Sequence, residues 1–264
     1  MSGRVFVVTS GKGGVGKTTT TANVGAGLAL RGRKVALIDA DIGLRNLDVV
    51  MGLENRIVFD LVNVVEKNCK LKQALIKDKR FENLYLIPAA QTREKDAIKP
   101  GQMKELCDEL RKEFDYIIID SPAGIEQGFK NAIAGADEAI IITTPDVSAV
   151  RDADRIIGLL QAHEIPAPRL IVNRVRQEMV KKGDMMDIDD VNDILAIDIL
   201  GVVPDDEGII VSTNRGEPSV MVSGTKAGIA FRNIVARIEG EEVPFMSLDY
   251  DLGFFDKIRR FMKK

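Results

Sequence analysis

Residues 11–19 read Gly-Lys-Gly-Gly-Val-Gly-Lys-Thr-Thr, and their reading decides the fold. Gly11, Gly16, Lys17 and Thr18 satisfy the phosphate-loop pattern G-x-x-x-x-G-K-[ST]. The context agrees. Val5–Thr9 is a short, β-branched apolar run that predicts a buried strand, and Thr18–Leu30, rich in Ala and Leu, predicts a helix. Glycines let a backbone wrap closely around a triphosphate, and a helix N-terminus points free N–H groups at the anion. Gly11, Lys12, Gly13, Gly14, Val15, Gly16, Lys17, Thr18 and Thr19 are therefore the candidate phosphate cradle. In such a loop Lys17 neutralises the β/γ oxygens and the Thr18 hydroxyl reaches Mg²⁺.

Outward from the loop, apolar runs alternate with helical stretches. Lys34–Asp39, Leu84–Pro88, Tyr116–Asp120, Ala139–Thr144, Arg169–Asn173 and Ile199–Pro204 read as strands; Met103–Glu113, Val147–Ala162 and Thr225–Glu239 read as helices. Continuous apolarity predicts strands covered on both faces, hence an α/β fold with one doubly wound, mainly parallel sheet. Ligands of such sheets bind at the carboxyl edge of the strands. Ser10, Asp39 and Asp120 gather there.

Asp120 follows three isoleucines and is a candidate to hold Mg²⁺ through its water shell. The competing reading makes it the cap of a helix with Pro122 in its first turn. In the first reading Asp120–Gly124 is a switch able to sense a γ-phosphate. The other acidic segment is Asp39-Ala40-Asp41-Ile42-Gly43-Leu44-Arg45-Asn46-Leu47-Asp48. Hydrolysis requires a group that positions the attacking water. Asp41 is the candidate for that task and Asp39 for the magnesium shell, against a plain loop of solvated acids. Asn173 and Arg174 close one late strand, and Pro204 and Asp205 the next; an Asn amide there can pair with a base edge, although the same residues are ordinary turn chemistry.

The chain has 264 residues, 45% hydrophobic and 29% charged, with net charge −3, an ordinary globular composition. No linker-like tract interrupts residues 1–240, so one domain is expected there. Met-Ser-Gly-Arg leads straight into the first strand, so no secretory leader is expected. Cys69 and Cys107 form no C-x-x-C, which argues against zinc or an iron–sulfur cluster and fits a reducing cytoplasm. Mild acidity argues against nucleic acid as a partner. His163, the one histidine, suits a helix end or surface better than catalysis.

Residues 254–264 read Phe-Phe-Asp-Lys-Ile-Arg-Arg-Phe-Met-Lys-Lys. At helical spacing Phe254, Phe255, Ile258, Phe261 and Met262 share an arc of roughly 120°, and five basic residues take the rest. A basic amphipathic helix with aromatic residues on its apolar face suits an anionic membrane surface; a helix docked on the parent domain is the alternative. Residues 241–253 form an acidic, turn-rich linker before it. Burying five apolar side chains contributes at most about 7–12 kcal/mol, and ordering eleven residues costs on the order of 10 kcal/mol. Each basic residue near anionic lipid adds about 1 kcal/mol. One tail thus binds marginally, whereas two tails in a dimer gain about 10²–10⁴ in avidity.

The second lysine of the loop, Lys12, stands where an ordinary phosphate loop accepts almost any residue. The form K-G-G-x-G-K-T-T resembles the deviant Walker A loop of the MinD/ParA ATPase family. The resemblance runs nearly end to end: D-x-D-I-G-L-R-N-L-D, D-S-P-A-G-I-E, V-R-D-A-D-R at 150–155, R-G-E-P at 215–218 and the amphipathic end are similar to the MinD branch. It implies ATP and Mg²⁺, a dimer formed with ATP, and a role for Lys12 on the partner subunit's nucleotide. It also implies slow ATPase activity, attachment to the inner membrane's cytoplasmic face, and recruitment of a MinC-type division inhibitor. Release would follow hydrolysis stimulated by a MinE-type or equivalent regulator. In that branch the helix carrying Asp152 and Asp154 contributes to the partner surface. These acids lie two apart, so both face outward only if the exposed face is broad; a plain solvated face is the alternative. A DNA-partitioning relative, a flagellar-number regulator, an iron–sulfur carrier and a scaffold with vestigial activity are the other readings, fitting less well.

Overall fold

Val5 and Val7 pack into one hydrophobic cluster, whereas Phe6 and Val8 pack into another on the opposite face of the same strand. Ile117 and Ile119 divide from Ile118 in the same way. This is why the strand runs are continuously apolar: successive side chains point to opposite faces, and both faces are covered. The structure, a computed structural model, describes residues 2–94 and 97–246.

The strands are β1 (Arg4–Thr9), β2 (Val35–Asp39), β3 (Ile76–Lys77), β4 (Leu84–Ile87), β5 (Tyr116–Asp120), β6 (Glu138–Thr143), β7 (Arg169–Val175) and β8 (Ile199–Pro204). They form a single sheet in the order β3-β4-β2-β5-β1-β6-β7-β8. Every neighbouring pair is parallel except β3 with β4. Helices α1 (Lys17–Leu30), α2 (Leu47–Val50), α3 (Leu61–Val65), α4 (Leu71–Ala74) and α5 (Pro100–Leu110) belong to the first half. The second half adds α6 (Gln127–Ile133), α7 (Val147–Ala162), α8 (Gln177–Lys182), α9 (Ile188–Leu195), α10 (Glu207–Asn214) and α11 (Lys226–Ile238).

The doubly wound, mainly parallel sheet is the one expected. β5, β8 and α7 keep their expected bounds, α5 moves by three residues to Pro100–Leu110, and other edges shift by a residue or two. Two differences have clear causes. α5 begins at Pro100 rather than Met103, because proline is suited to the first helical turn, where its missing N–H costs nothing. β3, a two-residue antiparallel edge, is too short to leave a periodic signal.

β1 lies between β5 and β6; the chain crosses from β1 to β2 on one side and later from β5 to β6 on the other, so the loop after β1 opens where the direction of the crossovers reverses, a switch point of the sheet. At the opposite edge the first linker residues stay on the body. Arg237 donates to the carbonyls of Val243 and Pro244 and lies 4.3 Å from the ring centre of Phe245. The proposed amphipathic segment, with Phe254, Phe255, Ile258, Phe261 and Met262, lies outside the described residues. Among those described, no helix is long and apolar enough to cross a membrane.

Candidate functional site

The loop between β1 and α1 takes its shape from Gly14 (φ 77°) and Gly16 (φ 103°); Gly16 is the left-handed N-cap of α1. Steric contacts add to this demand. A Cβ on Gly11 would stand 2.4 Å from the Asp152 carbonyl oxygen, and one on Gly16 would stand 2.3 Å from Asn173 Nδ2. The glycines are thus fixed by α7 and β7 before any ligand approaches.

The two loop lysines occupy different places. Lys17 is buried, donates to Ser10 Oγ at 3.1 Å, and has its pKa lowered by burial, against the charges of Asp120 and Asp41. Ser10 in turn donates to the Lys12 carbonyl at 2.7 Å. Lys12 points outward: its Nζ meets Ser148 Oγ at 2.8 Å and Asp146 Oδ1 at 3.4 Å. Asp146 caps α7 by accepting from Ala149 N at 3.0 Å. Its partial burial favours the neutral form, but donors from Thr144, Ser148 and Ala149, together with Lys12, hold its pKa down to about 2. Ser148 and Asp146 carry no motif signal, and only the fold brings them to Lys12.

Asp39 and Asp120 stand side by side in register at the carboxyl ends of β2 and β5. Both are fully buried. Burial and the facing Asp120 push Asp39 up to about 8, against backbone N–H donors. Burial pushes Asp120 up to about 6, against the Thr18 hydroxyl and Lys17. Their surroundings differ. Asp39 Oδ1 accepts from Asp41 N at 3.0 Å, and Oδ2 from Asn46 N at 3.2 Å and Leu47 N at 3.1 Å. It braces the acidic segment. Asp120 accepts from Thr21 Oγ1 at 3.3 Å and from Thr18, leaving its carboxylate the freer of the two. The capping alternative for Asp120 fails, since the next helix starts at Gln127 with Glu126 as its cap. Asp41 is half-buried and close enough to Lys17 and Asp120 to act on both electrostatically.

On the other side of the loop, Asn173 donates from Nδ2 to the Val15 carbonyl at 2.8 Å, and its Oδ1 is buried without a partner. Beside it opens a cleft of about 380 Å³, lined by Gly16, Thr19, Asn173, Arg174, Asp205 and Ile209 among others. Arg174 holds a left-handed backbone at φ 57°. Asp205 pairs with Arg176 at 2.5 Å across the cleft mouth, and Asp206 caps α10. Pro204 is buried at the end of β8 and does not line the cleft; it positions the two acids that follow. An unpaired acceptor at the wall of a cleft of this size suits a nucleobase amino group.

Asp152 and Asp154 separate. Asp154 is exposed, whereas Asp152 is half-buried with its backbone on Gly11. His163 is the C-cap of α7. Cys107 is buried, which pushes its thiol up to about 12, and Cys69 is half-buried and unpaired. Fully buried Asp120, with the Thr18 hydroxyl on it and a pKa raised by burial and by the nearby charge of Asp41, is a donor set suited to a hard divalent cation sharing its shell with water and phosphate.

The model of the CobQ/CobB/MinD/ParA nucleotide binding domain matches residues 6–220. The septum site-determining protein MinD of Bacillus subtilis is 60% identical over 262 residues, 98% of each chain. The MinC:MinD cell division protein complex of Aquifex aeolicus contains a chain 46% identical, with a TM-score of 0.84, covering 92% of this chain and 98% of that one. The septum site-determining protein MinD of Pyrococcus horikoshii, solved with Mg-ADP, is 30% identical, with a TM-score of 0.82 and coverage of 90% and 96%.

Proposed function

We propose, from the premise that this chain belongs to the CobQ/CobB/MinD/ParA nucleotide-binding family and within it to the MinD group, that it is an ATP-driven membrane switch. It dimerises with ATP, binds the cytoplasmic face of the inner membrane through residues 254–264, and recruits a MinC-type division inhibitor to place the septum. The Aquifex relative's complex with MinC supports the last step.

The mechanism follows from the site. Loop amides from Gly13 to Thr18 and the N-terminus of α1 receive the phosphates. Lys17, whose burial disfavours its charge, gains a compensating partner in the β/γ oxygens. Thr18 and Asp120, with Asp39 behind them, would hold Mg²⁺, which neutralises charge on the phosphates and leaving group; the Pyrococcus relative's Mg-ADP supports this. Asp41 orients the attacking water. Asn173 Oδ1 accepts from the adenine amino group, with Arg174 and Asp205 at the cleft mouth. Lys12 leaves Asp146 and enters the partner subunit's site, so chemistry waits for the dimer. Asp154 and neighbouring exposed residues of α7 present the partner surface. A MinE-type or equivalent regulator stimulates hydrolysis and returns the protein to solution.

One observation carries this reading: the loop holds two lysines with separate surroundings, Lys17 inside beside Asp120 and Lys12 outside on α7. Sedimentation with anionic vesicles tests it. The full chain should pellet with ATP and stay in solution with ADP. Equal pelleting with both nucleotides, or none with either, would overturn it.

A further inference from the structure

Arg80 belongs to none of the motifs above, yet its guanidinium joins one of them, R-G-E-P at Gly216, to Met51 just beyond the acidic segment 39–48. Asp78, fully buried just after β3, accepts from Arg80 N at 2.9 Å, Nε at 3.0 Å and Nη2 at 2.6 Å. With the planar fork fixed on that carboxylate, its remaining donors face the other way. Nη1 donates to the Gly216 carbonyl and Nη2 to the Met51 carbonyl, each at 2.6 Å.

Those carbonyls end two separate paths from the nucleotide site. Met51 closes α2, its N–H bonding Leu47 O, and Leu47 N bonds Asp39 Oδ2, the brace of the Asp41 segment. Gly216 follows α10, its N–H bonding Thr213 O, and α10 starts at the base cleft with Ile209 and Ile210 on its wall. The two paths also touch directly. Gly52 and Gly216 have φ of 63° and 64°, and a Cβ on Gly216 would stand 2.5 Å from Gly52 Cα. Nothing but backbone fits between them, and Arg80 binds both sides of the seam.

We propose that Arg80 is a positioning residue that couples the base cleft to the acid segment, so that filling the cleft fixes Asp41 for hydrolysis. This rests on the nucleotide-binding reading above. A base that moves α10 moves Gly216; the guanidinium carries that displacement to Met51, and α2 carries it to the Asp39 brace. Phosphate alone lacks this route.

Hydrogen exchange on the full chain tests the coupling, with ADP compared against inorganic pyrophosphate, which fills the phosphate loop without a base. In the unaltered protein ADP should protect amides 46–52 about 5-fold or more beyond pyrophosphate, the lower range of measured site couplings. Arg80→Lys retains a charge for Asp78 but lacks the fork that spans both carbonyls. In that variant the difference at 46–52 should vanish, while α10 still distinguishes the two ligands. Gly216→Ala, which wedges the seam apart, should do the same and serves if Arg80→Lys does not fold. A difference at 46–52 that survives in the folded variants, or that is missing from the unaltered protein, overturns the coupling alone. Failure of the unaltered protein to bind ADP overturns the nucleotide reading and the coupling with it.

Discussion

Lys12 Nζ rests 3.4 Å from Asp146 Oδ1, in a pair whose side chains are 45% and 47% exposed. Exposed pairs of this kind contribute about 0–1 kcal/mol, so the loop lysine is held on its own subunit by a contact that is easy to exchange for another. Lys12→Ala should therefore leave folding and most ATP binding intact while abolishing ATP-dependent dimerisation and stimulated hydrolysis. Size measurement with ATP beside a nucleotide titration checks this. Normal dimerisation and turnover in the variant would remove Lys12 from the mechanism.

Asp41→Ala should slow single-turnover hydrolysis about 10²-fold or more, within the range for loss of a positioned acid–base group. ATP binding should persist, since the Asp39 brace uses the Asp41 backbone N–H rather than its side chain. The variant should then accumulate on vesicles with ATP. An unchanged single-turnover rate would assign the water to another residue.

The paired acids make stability and binding respond to pH in opposite directions. Folded and nucleotide-free, Asp39 and Asp120 keep their protons to about pH 8 and about pH 6, against 3.8 when unperturbed. Between these values the folded state holds more protons, so its stability falls as pH rises. Magnesium-nucleotide needs the deprotonated pair, and its affinity should rise by up to about tenfold per pH unit for each proton displaced. The thermal shift given by Mg-ADP should be larger at pH 8 than at pH 6. ADP with a chelator should show less of this trend, since Lys17 contributes to both cases. A flat or inverted difference would count against the charge assignment.

Gly11→Ala should destabilise the nucleotide-free protein by about 1–3 kcal/mol, the usual cost of overpacking a tight site. The added methyl meets the α7 backbone at Asp152. Gly13→Ala, whose Cβ finds its nearest neighbour 4.0 Å away, should leave stability almost unchanged. Thermal unfolding without ligand compares them; equal midpoints would show that α7 yields.

Deleting residues 254–264, or changing Phe261 to Glu, should abolish vesicle binding and leave ATP-dependent dimerisation in solution intact. Changing Lys263 and Lys264 to Ala should weaken binding less, and mainly at low salt, because exposed charges are screened within about 8 Å at physiological ionic strength. Sedimentation across a salt series measures both. Truncated protein that still pellets with ATP would move the membrane contact elsewhere and favour a docked tail.

The sheet was legible because burial on both faces writes itself into every strand: Phe6 and Val7 serve opposite layers yet are both apolar. α7 was legible because its buried residues Val150, Ala153, Ile156, Ile157 and Leu160 recur at helical spacing. What stayed hidden is what depends on distant residues. Lys12 and Asp146 are 134 positions apart, and no local pattern links them. Asp39 and Asp120 look alike as strand-end acids, and only the backbone N–H groups folded around Asp39 make one a brace and the other the freer carboxylate. Nor does spacing reveal that Asp152 turns its backbone to Gly11 while Asp154 stays in water.

That contact of α7 with Gly11 also divides the helix by how freely it can change over evolutionary time. At position 152 the main chain is pressed onto the nucleotide loop, so an insertion, deletion or proline nearby would damage ATP binding before it altered any partner. Arg151, Asp154 and Arg155 are exposed, and their side chains can drift without disturbing the loop. If these outward positions form the partner surface proposed above, a lineage can acquire a different partner by rewriting them while the nucleotide site beneath stays the same.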